Sequence, residues 1–192
     1  LEFFNEGLKD IVNYAHSLGF KVFINGVRAY AYLADYYLWE DFVTIPIDGK
    51  YIIDPNFFNT QDNGDPFSWE NGLAKYLWLR NNGTLRKTIA LSFVDTSTGE
   101  GISYAIYGYL TARILGLAGW GFANYEIFSE GGSIQIPILP PLGESVTEIE
   151  IDYENKVLKR LFIYGNVTVV LSENPTAFYP LKEYSKRIYV DG

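Results

Sequence analysis

Cysteine and methionine are absent from this chain of 192 residues, and histidine occurs only once, at position 16. Without cysteine the chain cannot form disulfides, thiolate nucleophiles, iron–sulfur clusters or cysteine-ligated zinc sites. A single histidine disfavours histidine-based triads and centres with several histidine ligands, and His16 is interpreted as an exposed helix residue without a catalytic role. Carboxylates are therefore the expected catalytic groups, and we expect no metal or cofactor. The missing initial methionine predicts a processed product or a fragment.

Basic charge is also scarce, with 15 Lys and Arg against 23 Asp and Glu and a formal net charge of −8. The lysines and arginines are scattered along the chain, with no more than two in a row. Binding to nucleic acid depends on neutralising phosphates, and anionic membranes attract polybasic segments. Neither partner is expected here.

Long hydrophobic runs are limited to residues 102–122, about the length that a membrane span requires. Arg113 interrupts this run at its centre, and several glycines divide it. The pattern therefore predicts a buried helix that leads into a buried strand, and no membrane span. Gly116, Gly119 and Gly121 are interpreted as sites of close packing, because their order does not match a phosphate-binding loop.

Hydrophobic residues make up 48% of the chain, and their spacing alternates between helical and strand-like segments. Four predicted helices are each followed by a short apolar strand: 1–18 then 21–25, 27–33 then 36–39, 69–80 then 88–94, and 102–115 then 117–122. Such alternation predicts an α/β fold with parallel strands. We expect four α/β steps of a (β/α)8-type barrel or half-barrel over residues 1–135.

The pattern of residue types changes after residues 136–143, a proline-rich segment interpreted as a linker. Residues 144–192 contain alternating β-branched and aromatic residues, with turns expected at 154–155 and 165–166, and predict an antiparallel β-module. Four parallel strands alone would leave two open sheet edges. We therefore expect a missing N-terminal half, a second subunit or self-association.

A long insertion at residues 45–68 separates the second predicted strand from the next helix. Its first part predicts a hairpin that turns at Asp48 and Gly49. Loops of this length often bind ligands, and this one leaves the strand that ends at Glu40. We expect it to cover the carboxyl ends of the strands, although covering a sheet edge or an intersubunit surface is an equal alternative.

Polar residues follow the predicted strands at the end where ligand sites form in parallel α/β folds. Glu40 follows an aromatic run, an apolar setting in which a carboxylic acid can keep a proton for acid catalysis. Asp95 is the second catalytic candidate, with a loop or capping role as its alternative. The remaining polar candidates for substrate binding at these ends are Asn25, Asp41, Asn124 and Tyr125.

Aromatic residues form 17% of the chain, more than a core of this size requires. Sugar rings stack on exposed aromatic faces, whereas most of the phenylalanines are interpreted as core residues. The aromatic candidates for substrate binding are Trp39, Tyr51, Phe57, Phe58, Trp120 and Tyr125.

Several segments together resemble the C-terminal half of a glycoside hydrolase TIM barrel, of the polygalactosaminidase-like type and its neighbouring hypothetical glycosyl hydrolases. They are KVFINGVRAYA (21–31), ADYYLWEDF (34–42), LAKYLWLRNNGTLRKTIALSF (73–93) and SYAIYGYLTARILGLAGWGFAN (103–124). In that family a strand with an aspartate, aromatics and then a glutamate ends in an active-site acid, which corresponds to Asp35 and Glu40 here. LKRLFIYGNVTVVLSE (158–173) is similar to the β-module that follows such barrels.

The resemblance implies that a further catalytic carboxylate lies on a strand before Leu1, because this chain supplies four of eight barrel strands. It also implies a hydrolase that cleaves an extracellular or cell-surface polysaccharide with Glu40 as acid/base, supported by Asp95 and Asn25. The alternative is a non-catalytic surface or assembly protein that binds glycan or protein on a barrel-derived scaffold.

Overall fold

The computed structural model describes residues 2–26, 28–61, 72–124, 135–171 and 176–178. The helices are α1 (Glu2–Ser17), α2 (Leu73–Asn81) and α3 (Gly99–Leu115). The strands are β1 (Phe23–Asn25), β2 (Tyr36–Trp39), β3 (Thr44–Ile47), β4 (Lys50–Ile53), β5 (Thr88–Phe93), β6 (Gly119–Ala123), β7 (Glu150–Asp152), β8 (Val157–Phe162), β9 (Gly165–Val170) and β10 (Thr176–Phe178).

The central element is a parallel four-stranded sheet in the order β1-β2-β5-β6, so neighbours in the sheet follow their order in the chain. This arrangement confirms the α/β class and the parallel strands predicted from the alternating pattern. The insertion forms the antiparallel hairpin β3–β4, which turns at Asp48 and Gly49 as expected. Both residues have positive φ, as a tight two-residue hairpin turn requires.

The helix predicted over residues 27–33 is wrong. A single 3₁₀ turn, Arg28–Tyr30, lies there, with Ala31 and Leu33 donating backbone hydrogen bonds three residues back. The connection is short because Asp35 and Tyr36 already donate backbone hydrogen bonds to Val22, which fixes both strands at close range. The apolar periodicity suggested that one face of a helix is buried here. Instead the Arg28 side chain is buried and packs against the Trp78 ring.

The first and last strands of the parallel sheet were predicted to be buried, and this is wrong in detail. Phe23 of β1 is 51% exposed, and every residue of β6 is only half-buried. The reason is position, because each of these strands has a strand neighbour on one side only among the described residues. Open edges of this kind were expected from a set of four strands.

Helix α3 is buried on two sides, which explains the apolar run. On one side, Gly108 lies against Ser92 and the Trp120 indole. On the other, the Tyr107 hydroxyl donates to the carbonyl of Val170 in the second sheet, at 2.9 Å. Within the described ranges no helix combines the length and the apolar character needed to cross a membrane.

The second sheet is antiparallel, in the order β10-β9-β8-β7, as expected for the C-terminal part of the chain. The turn between β8 and β9 lies at residues 163–164, and Gly165 already belongs to β9. The preceding proline-rich segment packs against this sheet, since Tyr164 donates a backbone hydrogen bond to Leu142. Residues 179–192 of the predicted module lie outside the described residues.

Asp35 joins the end of α1 to the start of β1. Its carboxylate accepts hydrogen bonds from the Val22 backbone N–H at 2.8 Å and from the Lys21 ammonium at 2.9 Å, and it lies 2.8 Å from His16 Nε2. These donors, led by the Val22 N–H, hold the pKa of Asp35 well below its usual range. The aspartate of the family-like pattern is therefore a structural residue here.

We expect Asp35→Asn to lower the melting temperature at pH 7, because the donors lose an ionised acceptor. A depressed folded-state pKa contributes stability above the unfolded pKa of about 4 and loses it as pH falls below that value. The difference between wild type and variant should therefore shrink on acidification. Thermal unfolding between pH 7 and pH 3 measures it.

Asp10→Asn is the matched control, because Asp10 lies on the exposed side of α1. A pH-independent difference for Asp35→Asn, or an equal effect of Asp10→Asn, would contradict the assignment.

Candidate functional site

A cavity of about 230 Å³ lies at the carboxyl ends of β1 and β2. We call it the carboxylate pocket. It brings together three predicted residues, Asn25, Glu40 and Asp41, and two that sequence reasoning did not select, Asp54 and Lys75. Gly26 and Ile45 complete its lining. This is the end of a parallel sheet at which loops converge on ligands.

The backbone after β2 takes an uncommon path that presents these carboxylates. Asp41 and Val43 both have positive φ, 52° and 59°, and such a conformation is rare for a β-branched residue. Phe42 lies between them with both backbone groups bonded to β5: its N–H donates to Leu91, and its carbonyl accepts from the Ser92 hydroxyl at 2.7 Å. The turn is thus fixed by the neighbouring strand.

The aromatic cluster Trp39, Phe42 and Phe57 lies in the protein core beneath the pocket. Ring centroids are 4.9 Å apart for Trp39 and Phe42, and 5.9 Å for the stacked Trp39 and Phe57. Trp39 is fully buried and Phe57 nearly so. Both rings are therefore core residues that offer no accessible face to a sugar, and neither lines the carboxylate pocket.

Asp54 directly follows β4, and the hairpin places it in the lining of the carboxylate pocket. Its backbone N–H donates to the carbonyl of Val43, and its carboxylate accepts from the Asn56 N–H at 2.8 Å. The hairpin thus returns the chain to the turn from which it started. The expectation that the insertion lies over the carboxyl ends of the strands matches the position of its described part, while residues 62–68 lie outside the described residues.

The carboxyl groups of Asp41 and Asp54 hold protons more strongly than exposed aspartates do. Burial is the main cause of the raised pKa of both. The negative charges of Glu40 and Asp54 raise the pKa of Asp41 further, while Lys75 opposes the shift. A raised pKa favours the protonated carboxylic acid, which is the form that donates a proton.

Lys75 is a buried cation on the first turn of α2, only 4% exposed. Its Nζ lies 5.5 Å from the centroid of the Trp39 ring and 5.7 Å from that of Tyr37. Burial, and then repulsion by Arg28, lowers the pKa of Lys75 to about 8. One sequence signal could have identified it, since it is the single charge within the apolar segment LAKYLWL.

A second cavity, of about 420 Å³, lies between the hairpin and the start of α3. We call it the hairpin pocket. Asp95 lines it and accepts three hydrogen bonds on Oδ1, from the Ser97 N–H, the Ser97 hydroxyl and the Asn124 amide. Tyr51 lies 3.3 Å from Asn124, so three predicted residues form one chain of contacts here. The loop role considered for Asp95 accounts for these bonds.

The remaining aromatic candidates lie elsewhere. Trp120 packs beside α3, where its indole N–H donates to Ser92 at 3.0 Å and its ring meets Tyr109. Phe58 is buried and contacts Tyr153. Tyr125 falls outside the residues that the structure describes.

Close packing at glycines is confirmed in part. A side chain at Gly116 would meet the Arg160 guanidinium at 2.9 Å, whereas at Gly119 and Gly121 it would make ordinary contacts. As for metals, the described part of the chain contains no group of three or more carboxylate or imidazole side chains that could hold an ion.

Comparison with family models found none that matches this chain. Comparison with curated proteins likewise found no match.

We expect Lys75→Met to raise the pKa of Asp41 further, because the variant removes the cation that favours the ionised carboxylate. A carboxyl ¹³C NMR titration of both proteins measures the change. Lys50→Met is the control, because Lys50 is an exposed hairpin residue that lies outside the carboxylate pocket.

The lowered pKa of Lys75 also predicts how the free energy of unfolding depends on pH. Between the folded value of about 8 and the unfolded value of about 10.4 the unfolded state binds more protons, so the free energy of unfolding rises with pH. Lys75→Met should remove this part of the rise. An unchanged pH dependence, or an unchanged Asp41 titration, would contradict the geometry of the pocket.

Proposed function

We propose that the carboxylate pocket is the catalytic site of a glycoside hydrolase that cleaves an extracellular or cell-surface polysaccharide. The observation that carries this proposal is the meeting of Glu40, Asp41 and Asp54 with Asn25 and Lys75 in one cavity at the carboxyl ends of parallel strands. Hydrolysis of a glycosidic bond ordinarily needs two carboxyl groups, one to donate a proton and one to act as nucleophile or base. The pocket contains three.

Glu40 is the proposed acid/base, because it follows β2 directly and lines the cavity. Asp41 and Asp54 are the proposed partners within this chain, since both line the cavity with Glu40 and burial raises the pKa of each, which favours the protonated form. Asn25 and Lys75 supply donors for sugar hydroxyls. The alternative partner is a carboxylate on a strand outside this chain, as the family resemblance implies.

A non-catalytic surface or assembly protein is the second candidate function, and a specific observation favours it. The outer face of α1 and the adjoining β1 expose large apolar side chains: Phe4, Ile11, Tyr14, Leu18, Phe20 and Phe23. Exposed apolar surface of this extent is typical of interaction sites. On this interpretation the aromatic-rich surface contacts glycan or protein without cleaving a bond.

Both candidates include a partner for the open edges of the parallel sheet. We propose that β1 and β6 pair with further strands, supplied by an N-terminal half, a second subunit or another copy of this chain. Among the described residues β1 and β6 each have a strand neighbour on one side only, and exposed apolar residues lie beside β1. Both features support this proposal, because native proteins normally cover open edges and apolar surface.

We expect Glu40→Gln to reduce release of reducing ends from a susceptible polysaccharide by about 10²–10⁴-fold, the usual contribution of a general acid or base. Neutral, amino-sugar and uronic-acid polysaccharides form the substrate panel. Asp41→Asn and Asp54→Asn identify the partner carboxylate by a comparable loss, and Asp95→Asn tests the hairpin pocket in the same assay.

Glu154→Gln is the control, because Glu154 is exposed in the turn between β7 and β8. Full activity of Glu40→Gln would contradict the proposed role. Binding to a polysaccharide without cleavage by the wild type would favour the non-catalytic candidate, and neither binding nor cleavage would contradict both glycan functions.

We expect the wild-type chain to self-associate if a second copy covers the edge at α1 and β1. Its mass by light scattering would then be a multiple of 21.8 kDa. Ile11→Glu places a charge on the exposed apolar face, where Ile11 is 68% exposed, and should yield the monomer.

Asn13→Glu is the matched control, since it adds the same charge at another exposed position of α1. A monomeric wild type would contradict self-association and favour strands from an N-terminal half or a second subunit. Dissociation by both variants would show that net charge, and not the apolar face, governs assembly.

A further inference from the structure

A third cavity, of about 430 Å³, lies at the opposite end of the parallel sheet from the carboxylate pocket. It is lined by the residues that end α3 and begin β6, and by parts of the antiparallel sheet. Arg86, Arg113 and Arg160 line it, and we call it the arginine pocket. Its volume falls within the range of small-molecule sites.

The charge of this cavity is opposite to that of the chain. Among the described residues three guanidinium groups line it and no carboxylate does, although the chain has a formal net charge of −8. A cavity whose described charged lining residues are all arginines has a positive potential that attracts anions.

Two of the arginines are held in place by the fold. Arg160 donates to the backbone carbonyls of Thr147 and Ile114, each at 2.9 Å. Arg113 donates to the carbonyl of Gly143, and its guanidinium lies 5.5 Å from the centroid of the Phe162 ring. A guanidinium has five N–H donors, so these bonds leave donors on both side chains for an oxyanion.

A purely structural role accounts for part of this arrangement. Arg160 bonds a carbonyl at the end of α3 and offsets the negative end of its dipole, and Arg113 ties α3 to the segment before the antiparallel sheet. It does not account for Arg86, which is exposed and makes no hydrogen bond or ion pair with any residue that the structure describes. Arg86 adds positive charge to the lining of the cavity.

We propose that the arginine pocket binds an anionic ligand of about monosaccharide size that carries a carboxylate, sulfate or phosphate group. The guanidinium groups bind the oxyanion, and the Ser145 hydroxyl supplies a further donor. Trp120 and Leu139 give the remainder of the ligand an apolar wall. This site is independent of the carboxylate pocket and of the hydrolase proposal.

The test measures binding of glucuronate, inorganic sulfate and inorganic phosphate to the 192-residue chain by NMR. Glucose is the neutral match to glucuronate. We expect saturable shifts of the Trp120 indole N–H and of Gly116 and Gly119 with an anionic probe, and none with glucose. The relative affinities for the three anions identify which oxyanion the pocket prefers.

Arg86→Ala should weaken binding about 3- to 10-fold by removing one charge-assisted contact, without affecting the backbone bonds that hold Arg113 and Arg160. Arg160→Lys keeps the charge, loses the planar fork, and should also weaken binding. Lys159→Ala removes the same charge from an exposed neighbour outside the cavity and should leave affinity unchanged.

Absence of saturable binding by every anion would overturn the proposal. Equal weakening by Arg86→Ala and Lys159→Ala would also overturn it, because it would reveal general screening and not a site. Shifts confined to residues outside the cavity would assign the anion to another surface.

Discussion

The position of Phe42 is the constraint on which the candidate site depends. Its backbone is bonded to β5 through both the N–H and the carbonyl, and its ring is buried against Trp39 and Phe57. Left-handed residues on either side, Asp41 and Val43, cost about 1–3 kcal/mol each. Burial of the three aromatic side chains offsets that cost, at roughly 1.5–3 kcal/mol per large apolar side chain.

The turn at Phe42 links the buried aromatic core to the carboxylates of the carboxylate pocket. Because the chain reverses at Phe42, Glu40 and Asp41 lie at the end of the sheet, and Val43 meets Asp54 as the hairpin returns. Lys75 enters the same pocket from α2 over the rings of Tyr37 and Trp39. Burial makes the charged forms of Asp41, Asp54 and Lys75 costly. Asp41 and Lys75 offset part of this cost for each other, and the Asn56 N–H does so for Asp54.

The two ends of the parallel sheet differ in charge. Carboxylates gather where the strands end, and arginines gather where β5 and β6 begin and where α3 meets the antiparallel sheet. Helix α3 spans this distance and contacts both sheets, with Gly108 against Ser92 and Tyr107 bonded to Val170. A chain with a net negative charge thus presents two chemically distinct cavities on one scaffold.

Local pattern determined the α/β class, most helix and strand positions, the hairpin turn, and the placement of Asn25, Glu40 and Asp41 together at strand ends. These depend on hydrophobic period and turn chemistry, which neighbouring residues encode. Tertiary structure alone decided that Trp39 and Phe57 are core residues, that Asp95 lines a different cavity from Glu40, and that Asp54 and Lys75 join the carboxylate pocket. Contacts between residues far apart in the chain arise from packing and backbone pairing, and a periodicity measured along the sequence contains no information about them.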